Sequence, residues 1–407
     1  MIDKQIEKLI KKEKERKKKQ ITLIPSENYV SKDVLEALGS VLNEKYAEGY
    51  PHARYYGGCE VIDEVEELCQ SRALKLFGLS PSEWRVNVQA LSGSPANLAA
   101  YLGTVPKDGK IMGLPLSSGG HLTHGQKVSI TGKFWQQVPL AVDVTTELLD
   151  YKKMMEDAMR EKPNLIVVGF TAYPRIVDFK KCREAADACR ALLMVDMSHF
   201  AGLVAGKAYP TPFKYADIVT TTTHKTLRGP RSALIFSKIA VKRMDAKGRE
   251  MSISDLIDKA VFPGLQGGPH ANQIAGVAVA LKEAMAPAFK KYAKQVIKNA
   301  QVLASRLQAL GWRVVSGGTD SHLLLVDTWM DGSKNARGAG GIPGKVAEAK
   351  LCKEGIIVNK NTIPGDKRSP FDPSGIRLGS PAETTRGLKE KDFKKIAERI
   401  DKILRGK

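Results

Sequence analysis

The stretch Val219-Thr220-Thr221-Thr222-Thr223-His224-Lys225-Thr226-Leu227-Arg228-Gly229-Pro230-Arg231 opens as a β-branched run, meets a lone lysine, and is then fenced by glycine and proline. Val and Thr suit the pleated surface of a strand, and Gly-Pro punctuates regular structure. Lys225 is thereby presented on a stiff loop at the mouth of a sheet. About thirty residues upstream, the apolar run Leu192-Leu193-Met194-Val195 ends in Asp196, with His199 close behind. Open α/β sheets take ligands beyond the carboxyl ends of their strands. A lysine there can hold a carbonyl cofactor, and an aspartate there can keep a pyridine nitrogen protonated. Pyridoxal phosphate chemistry asks a protein for those two parts. Taken singly, Lys225 also reads as a surface lysine and Asp196 as a strand-end cap. Their order along the chain, with an anion site upstream, favours the cofactor reading.

Working outward, residues 85–240 alternate. Short β-like runs (Val86–Val88, Leu165–Phe170, Leu192–Val195, Ile218–Thr222, Ala233–Phe236) are separated by helical stretches such as Phe179–Ala191. That alternation predicts an α/β fold with a mostly parallel sheet covered on both faces. Residues 1–20 read as one charged helix, and 33–42 and 60–77 as helices with apolar positions at three- and four-residue spacing. Residues 238–260 read as a basic surface excursion, and 271–310 as a long helical region leading to a second domain. That domain is expected to hold strands near 312–316, 322–327, 356–359 and 375–378 and a helix at 345–353, making a smaller C-terminal α+β domain. The expected division is an N-terminal arm at 1–45, a large cofactor-binding domain at 46–275 and a small domain at 276–407.

The chain has 407 residues and a net charge of +20. Such charge suits a nucleic-acid binder or simply a basic surface. The cations crowd the first twenty residues but are otherwise dispersed, without interleaved aromatics for base stacking, so the second reading is preferred. A basic surface would also steer anionic substrates. Cys59, Cys69, Cys182, Cys189 and Cys352 form no Cys-x-x-Cys pair, and an odd count suits reduced thiols in a cytoplasmic protein. No apolar stretch reaches membrane-spanning length, and the lysine-rich start lacks the apolar segment of a secretory signal.

Further candidates surround the lysine. Leu91-Ser92-Gly93-Ser94-Pro95 leads from a strand into an Ala/Leu-rich helix, with Ser94 as N-cap and Pro95 in the first turn. Free N–H groups, the helix dipole and two hydroxyls make an anion cradle there; alone, the motif is an ordinary capped helix. Gly267-Gly268 offers more backbone donors or merely a turn. His121 and His124, three apart in a glycine-rich loop without a neighbouring carboxylate or cysteine, make a poor metal pair, and His121 is better suited to stack on a flat ring. Arg377, between glycines on a short strand, suits a carboxylate held by two parallel hydrogen bonds or a structural ion pair. Glu48, among Tyr46, Tyr55 and Tyr56, is a candidate proton donor.

These segments together resemble serine hydroxymethyltransferases over nearly the whole chain. The matching strings include Leu23-Ile24-Pro25-Ser26-Glu27-Asn28-Tyr29, Tyr46-Ala47-Glu48-Gly49-Tyr50-Pro51 and Arg54-Tyr55-Tyr56-Gly57-Gly58-Cys59-Glu60. Gly119-Gly120-His121-Leu122-Thr123-His124-Gly125, Thr222-Thr223-His224-Lys225-Thr226-Leu227 and Phe262-Pro263-Gly264-Leu265-Gln266-Gly267-Gly268-Pro269 continue the series. The resemblance implies a pyridoxal-phosphate enzyme of the aspartate-aminotransferase-like fold that interconverts serine plus tetrahydrofolate with glycine plus methylenetetrahydrofolate. It implies that Lys225 carries the cofactor, Asp196 holds its ring nitrogen, His121 stacks on the ring, and Thr171 and His199 lie near its phenolic oxygen. Ser92, Gly93 and Ser94 would hold the phosphate. Tyr46, Glu48, Tyr56, Gly267, Gly268 and Ser26 would reach across from a neighbouring subunit of a homodimer or tetramer. Arg377 would bind the substrate carboxylate. Leu116, Gly120, Leu122 and Asn361 would touch the folate, Glu48 would handle protons, and His224 would join the catalytic group.

The chain departs from the family pattern at His52-Ala53, where Gly and a basic residue are usual, at Pro25 in place of Ala, and at Pro115 beside the folate strand. Two other readings stand beside the resemblance. One is a folate-independent aldolase for β-hydroxy amino acids such as threonine; Glu48, the His121 loop and Asn361 argue against it. The other is RNA binding through the basic N-terminal run, as a side activity.

Overall fold

The computed structural model describes residues 1–245 and 247–406. The chain divides into two compact units: residues 28–294, and residues 1–27 together with 295 onward.

The larger unit is built on seven strands: β1 (Trp84–Asn87), β2 (Lys110–Gly113), β3 (Gln136–Pro139), β4 (Leu165–Gly169), β5 (Leu192–Asp196), β6 (Ile218–Thr222) and β7 (Ala233–Lys238). They lie in the order β1-β7-β6-β5-β4-β2-β3. The pairs from β3 through β6 are parallel, and β7 runs antiparallel to both β6 and β1. The expected α/β architecture with a mostly parallel sheet is therefore present. Every residue of β4, β5 and β6 is buried, as strands covered on both faces require. Register sets Gly169 beside Asp196 and Asp196 beside Thr220, so β6 runs two residues past β5 before it reaches the lysine loop.

Helix Gly93–Thr104 lies over one face, burying Ala96, Ala99, Ala100 and Tyr101 with Leu165, Val167, Leu192, Met194 and Ile218. Its N-cap is Ser92, in extended conformation, with the helix beginning at Gly93. The cap expected at Ser94 thus lies two residues too far along, because Gly93 already accepts helical geometry. The helices Tyr151–Glu161 and Phe179–Cys189 are capped by Asp150 and Asp178, whose carboxylates accept backbone N–H groups of the first turn.

Several elements differ from the expectation. β2 and β3 are additional strands; Lys110-Ile111-Met112-Gly113 and Gln136-Gln137-Val138-Pro139 carry too few β-branched residues to announce themselves. The 238–260 segment is no loose excursion. It folds as a hairpin, Lys242–Met244 with Glu250–Ser252, followed by helix Ile253–Lys259, and Ile253 and Ile257 enter the core below the sheet. The 271–310 region is two helices, Ala271–Ala284 and Pro287–Ala309, because proline interrupts a helix internally but suits a first turn. The helix expected at 33–42 ends at Leu38, before Gly39.

The smaller unit holds four antiparallel strands: β8 (Arg313–Val314), β9 (Leu323–Asp327), β10 (Asn359–Asn361) and β11 (Gly375–Gly379), in the order β8-β9-β11-β10. Leu324, Val326, Ile376 and Leu378 pack with Leu303, Leu307, Trp312, Phe393 and Ile400. Ile21–Thr22 pairs parallel with Ile356–Ile357, and Leu23 is fully buried in this core. Arg386 donates to the carbonyls of Lys18 and Gln20. Residues 1–27 are tied to this unit by those bonds, whereas helix Lys32–Leu38 packs on helix Ala271–Ala284 in the larger one. Packing thus divides the chain at 27/28 and 294/295, where the sequence reading drew 45/46 and 275/276.

Candidate active site

Asp196 closes β5 and is buried. One of its oxygens, Oδ2, accepts from Asn97 Nδ2 at 2.9 Å and faces His124 Nε2 at 3.2 Å. The other, Oδ1, accepts from the Ser198 backbone N–H at 3.0 Å. Burial by itself would raise this carboxyl. The His124 hydrogen bond and the positive charges around it outweigh burial and hold Asp196 far below the ordinary carboxylate range.

The two loop histidines have distinct surroundings. The His121 backbone N–H donates to His124 Nδ1 at 3.3 Å, which leaves the proton of a neutral His124 on Nε2, aimed at Asp196. His121 Nδ1 accepts the Thr123 backbone N–H at 3.2 Å and lies 2.7 Å from Thr123 Oγ1. Burial, then the neighbouring His124, pushes His121 down to about 4, so its ring is neutral near pH 7. Asn97 completes the layer: its amide also donates to Thr123 Oγ1 at 2.9 Å, and its oxygen accepts from Thr220 Oγ1 at 2.7 Å. Sequence reading weighed His124 only as half of a metal pair and passed over Asn97. The signal available for Asn97 was its position one turn into the helix that opens at the anion cradle. Among the described residues no three metal-ligating side chains gather.

The loop from 114 to 125 is held close by glycine. A Cβ on Gly120 would stand 1.8 Å from the Leu114 carbonyl oxygen, and the Gly119 carbonyl accepts the N–H groups of Thr171 and Ala172 at 2.7 and 3.0 Å. Thr171, after β4, is thereby brought to the His121 loop, on which Leu116 and Leu122 are exposed.

Lys225 follows β6 on a loop pinned from several sides. Its carbonyl accepts Asn28 Nδ2 at 3.0 Å and the Arg228 N–H at 3.1 Å. Thr226 Oγ1 donates to the His199 carbonyl at 3.0 Å, which joins the two strand-end loops. His224 is pushed down to about 3, by burial first and then by Lys225 and Arg231; its buried Nδ1 has no hydrogen-bond partner among the described residues. A Cβ on Gly93 would lie 2.7 Å from Thr222 Cγ2, so the cradle Ser92-Gly93-Ser94 sits against the strand that leads to the lysine. Ser92 Oγ makes no capping bond. These groups fit pyridoxal phosphate. An ionised buried carboxylate suits a protonated pyridine nitrogen, a helix N-terminus with an uncommitted hydroxyl suits the phosphate, and a lysine at the adjacent strand end suits the aldehyde.

A second group forms around Glu48. A Cβ on Gly267 would lie 3.2 Å from Glu48 Oε1, and one on Gly268 3.5 Å from Tyr46 Cε1. The Tyr46 and Tyr56 rings meet edge-on with centroids 5.3 Å apart. Gln266 grips the backbone just before the cradle: its oxygen accepts the Leu91 N–H at 3.1 Å and its amide donates to the Gln89 carbonyl at 2.8 Å. His52 occupies the left-handed region at φ 62 in the turn between Gly49–Tyr50 and Ala53–Arg54, a conformation that favours the usual glycine. Its N–H donates to Asp63 Oδ2 at 2.9 Å and its ring meets Glu67 at 2.8 Å, which offsets part of that strain.

In the smaller unit, Arg377 lies on β11 between β9 and β10. Its Nε donates to Asn359 Oδ1 at 3.0 Å, and burial lowers it to about 10, which leaves it cationic at neutral pH. Asn361 is half-buried on β10 and Ser26 half-buried after Pro25, whose ring packs against Gly379.

Known proteins resemble this chain over nearly its whole length. The family model described as serine hydroxymethyltransferase matches residues 1–400. A serine hydroxymethyltransferase of Caenorhabditis briggsae is 50% identical over 406 residues, covering 98% of this chain and 78% of that protein. The cytosolic serine hydroxymethyltransferase of Oryctolagus cuniculus is also 50% identical, over 98% of this chain and 82% of its own length. The mitochondrial one of Saccharomyces cerevisiae is 46% identical over 98% and 81%. A match of this extent places the chain in the serine hydroxymethyltransferase family.

Proposed function

We propose that this protein transfers the hydroxymethyl carbon of serine to tetrahydrofolate, giving glycine and 5,10-methylenetetrahydrofolate reversibly, with pyridoxal phosphate as cofactor. The observation that carries the reading is the pair of adjacent strand ends, one bearing an ionised Asp196 backed by His124 and Asn97, the other bearing Lys225. When bound, the cofactor supplies an electron sink for the pair released as the serine Cα–Cβ bond breaks.

The chain's own residues do the rest. Lys225 would supply the amine that holds the cofactor's aldehyde. Asp196, kept ionised, holds a proton on the ring nitrogen. His121 would offer a neutral flat ring for stacking, Ser92 to Ser94 would hold the phosphate, and Thr171 and His199 would lie near the phenolic oxygen, with His224 beside the lysine. Glu48 moves protons to and from the one-carbon unit, with Tyr46, Tyr56, Gly267 and Gly268 shaping its surroundings and Ser26 serving the substrate. Arg377 would grip the substrate carboxylate. Leu116, Gly120, Leu122 and Asn361 serve the folate. In this reading the smaller unit is the small domain of the aspartate-aminotransferase-like fold.

We further propose a homodimer or larger assembly that shares its sites. Leu35, Val41, Tyr46, Tyr55, Val61 and Leu68 are all exposed within 34 residues of sequence around Glu48 (35–68), a density of apolar surface that suits a partner copy. Five free cysteines suit a reducing compartment. Of the relatives named above, the Oryctolagus cuniculus protein is named cytosolic and the Saccharomyces cerevisiae protein mitochondrial; no helix among the described residues is long and apolar enough to cross a membrane. On the free cysteines, we propose a cytoplasmic location.

Serine cleavage measured with and without tetrahydrofolate tests the activity. Folate-dependent glycine formation is expected, and equal rates without folate would replace this reading with the aldolase. The Lys225→Ala protein is expected to lose turnover; near-normal rates would refute the lysine's role.

A further inference from the structure

Glu48 lies in a short irregular segment, yet the two carbonyls that bracket it are held by one buried guanidinium. Arg54 Nη1 donates to the Ala47 carbonyl at 3.0 Å and to the Gly49 carbonyl at 2.6 Å. Its remaining donors face the other way: Nε reaches Asp63 Oδ1 at 2.8 Å and Nη2 reaches Glu66 Oε2 at 2.7 Å. The Arg54 and Glu66 side chains are only 4% and 1% exposed, so this clamp is sealed from water. Gln89 adds a second grip, donating to the Gly49 carbonyl at 2.9 Å and to Glu66 Oε1 at 3.0 Å. The Gln89 carbonyl in turn accepts from Gln266, the residue before Gly267. The Glu48 carbonyl is itself tied to the Tyr55 N–H at 3.0 Å. Three consecutive carbonyls, 47 to 49, are thus fixed, and the carboxylate of Glu48 is the group left to project from them.

We infer that Arg54, seated on Asp63 and Glu66, is a positioning residue that fixes Glu48 for proton transfer and holds it in register with the Gly267-Gly268 turn. The inference rests on the proposed proton-handling role of Glu48. A planar fork is needed because two carbonyls and two carboxylates must be met at once; an ammonium is a single point of charge and cannot span them. The structural alternative is that Arg54 merely neutralises Glu66 and Asp63. The two roles differ in what they couple to: neutralisation affects the fold whatever residue stands at 48, whereas positioning matters only while Glu48 is there to be positioned.

A double-variant cycle on the cofactor-loaded enzyme separates them, using Arg54→Lys, Glu48→Gln and the pair combined, with hydrogen exchange of residues 46–56 read in parallel. Arg54→Lys is expected to lower kcat about tenfold to hundredfold, the scale of a misplaced catalytic group, and to speed exchange in that segment. In the Glu48→Gln background the same change should cost less than about twofold. Arg54→Met with Glu66→Gln, which leaves no uncompensated charge at Glu66, should reproduce the result if the lysine variant folds poorly. An equal loss in both backgrounds, or unchanged exchange at 46–56, overturns the inference. If Glu48→Gln alone leaves folate-dependent turnover intact, the Glu48 reading fails, and the exchange data still report whether Arg54 orders the segment.

Discussion

At the scale of single residues, the proposed chemistry turns on one buried negative charge. Asp196 stays ionised because His124 and Asn97 donate to it and Ser198 N–H caps its other oxygen. Asp196→Asn keeps the shape and removes the charge; kcat is expected to fall by about a hundredfold to a thousandfold, the usual cost of removing an electrostatic stabiliser. Steady-state assays check this, and a loss below tenfold would contradict it. The histidines give a pH signature. His121 and His224 titrate at about 4 and about 3 in the folded protein, against ~6.5 when unfolded. Between those values the unfolded chain binds more protons, so stability rises with pH. The stability is fully present above ~6.5 and is lost as pH falls toward the folded values; Asp196 acts only below the ordinary carboxylate range. The melting temperature of the cofactor-free protein should therefore drop on acidification from about pH 7 to about pH 5, with a shallower drop for His121→Asn. A flat profile, or a steeper one in the variant, would contradict this. The positions of Asp196 and Lys225 at adjacent strand ends were legible in the sequence, because apolar and β-branched runs that stop at a charged residue advertise a strand end. His124 was not: two histidines three apart suggest a metal pair first, and only the fold brings a carboxylate from β5 to the second of them.

At the scale of elements, the buried strands β4 to β6 were legible as apolar runs, while the edge pair β2 and β3 was not, being short and poor in β-branched residues. The helix Ile253–Lys259 was hidden inside a basic segment whose charge suggested a surface excursion. Ile257 is 1% exposed and packs in the sheet's core. Ile257→Ala should cost about 2–5 kcal/mol in denaturant unfolding; a loss under ~0.5 kcal/mol, typical of surface positions, would contradict that placement. The loop from 114 to 125 makes a different demand. Gly120→Ala places a methyl 1.8 Å from the Leu114 carbonyl oxygen, so the loop must move. If Leu116, Gly120 and Leu122 serve the folate, the variant should raise the KM for tetrahydrofolate more than that for serine. Equal effects on both would argue against the folate assignment.

At the scale of the whole molecule, alternation of strands and helices was enough to anticipate the mostly parallel sheet, but not where the chain divides. Residues 1–27 gave no hint that Ile21–Thr22 would pair with Ile356–Ile357, since a two-residue parallel pairing has no local signature. Helix Pro287–Ala309 likewise runs through the packing boundary without a break in its pattern. The exposed apolar side chains around Glu48 belong to this scale as well. If sites are shared between copies, mixing inactive Lys225→Ala and Glu48→Gln proteins under exchange conditions should restore part of the folate-dependent turnover. No recovery from demonstrably mixed dimers would contradict sharing. All of this depends on a cofactor held at the end of β6. Borohydride reduction of the holoprotein followed by peptide mapping tests that most directly: the account predicts the pyridoxyl group on the peptide containing Lys225, and its recovery on another residue, or on none, would contradict it.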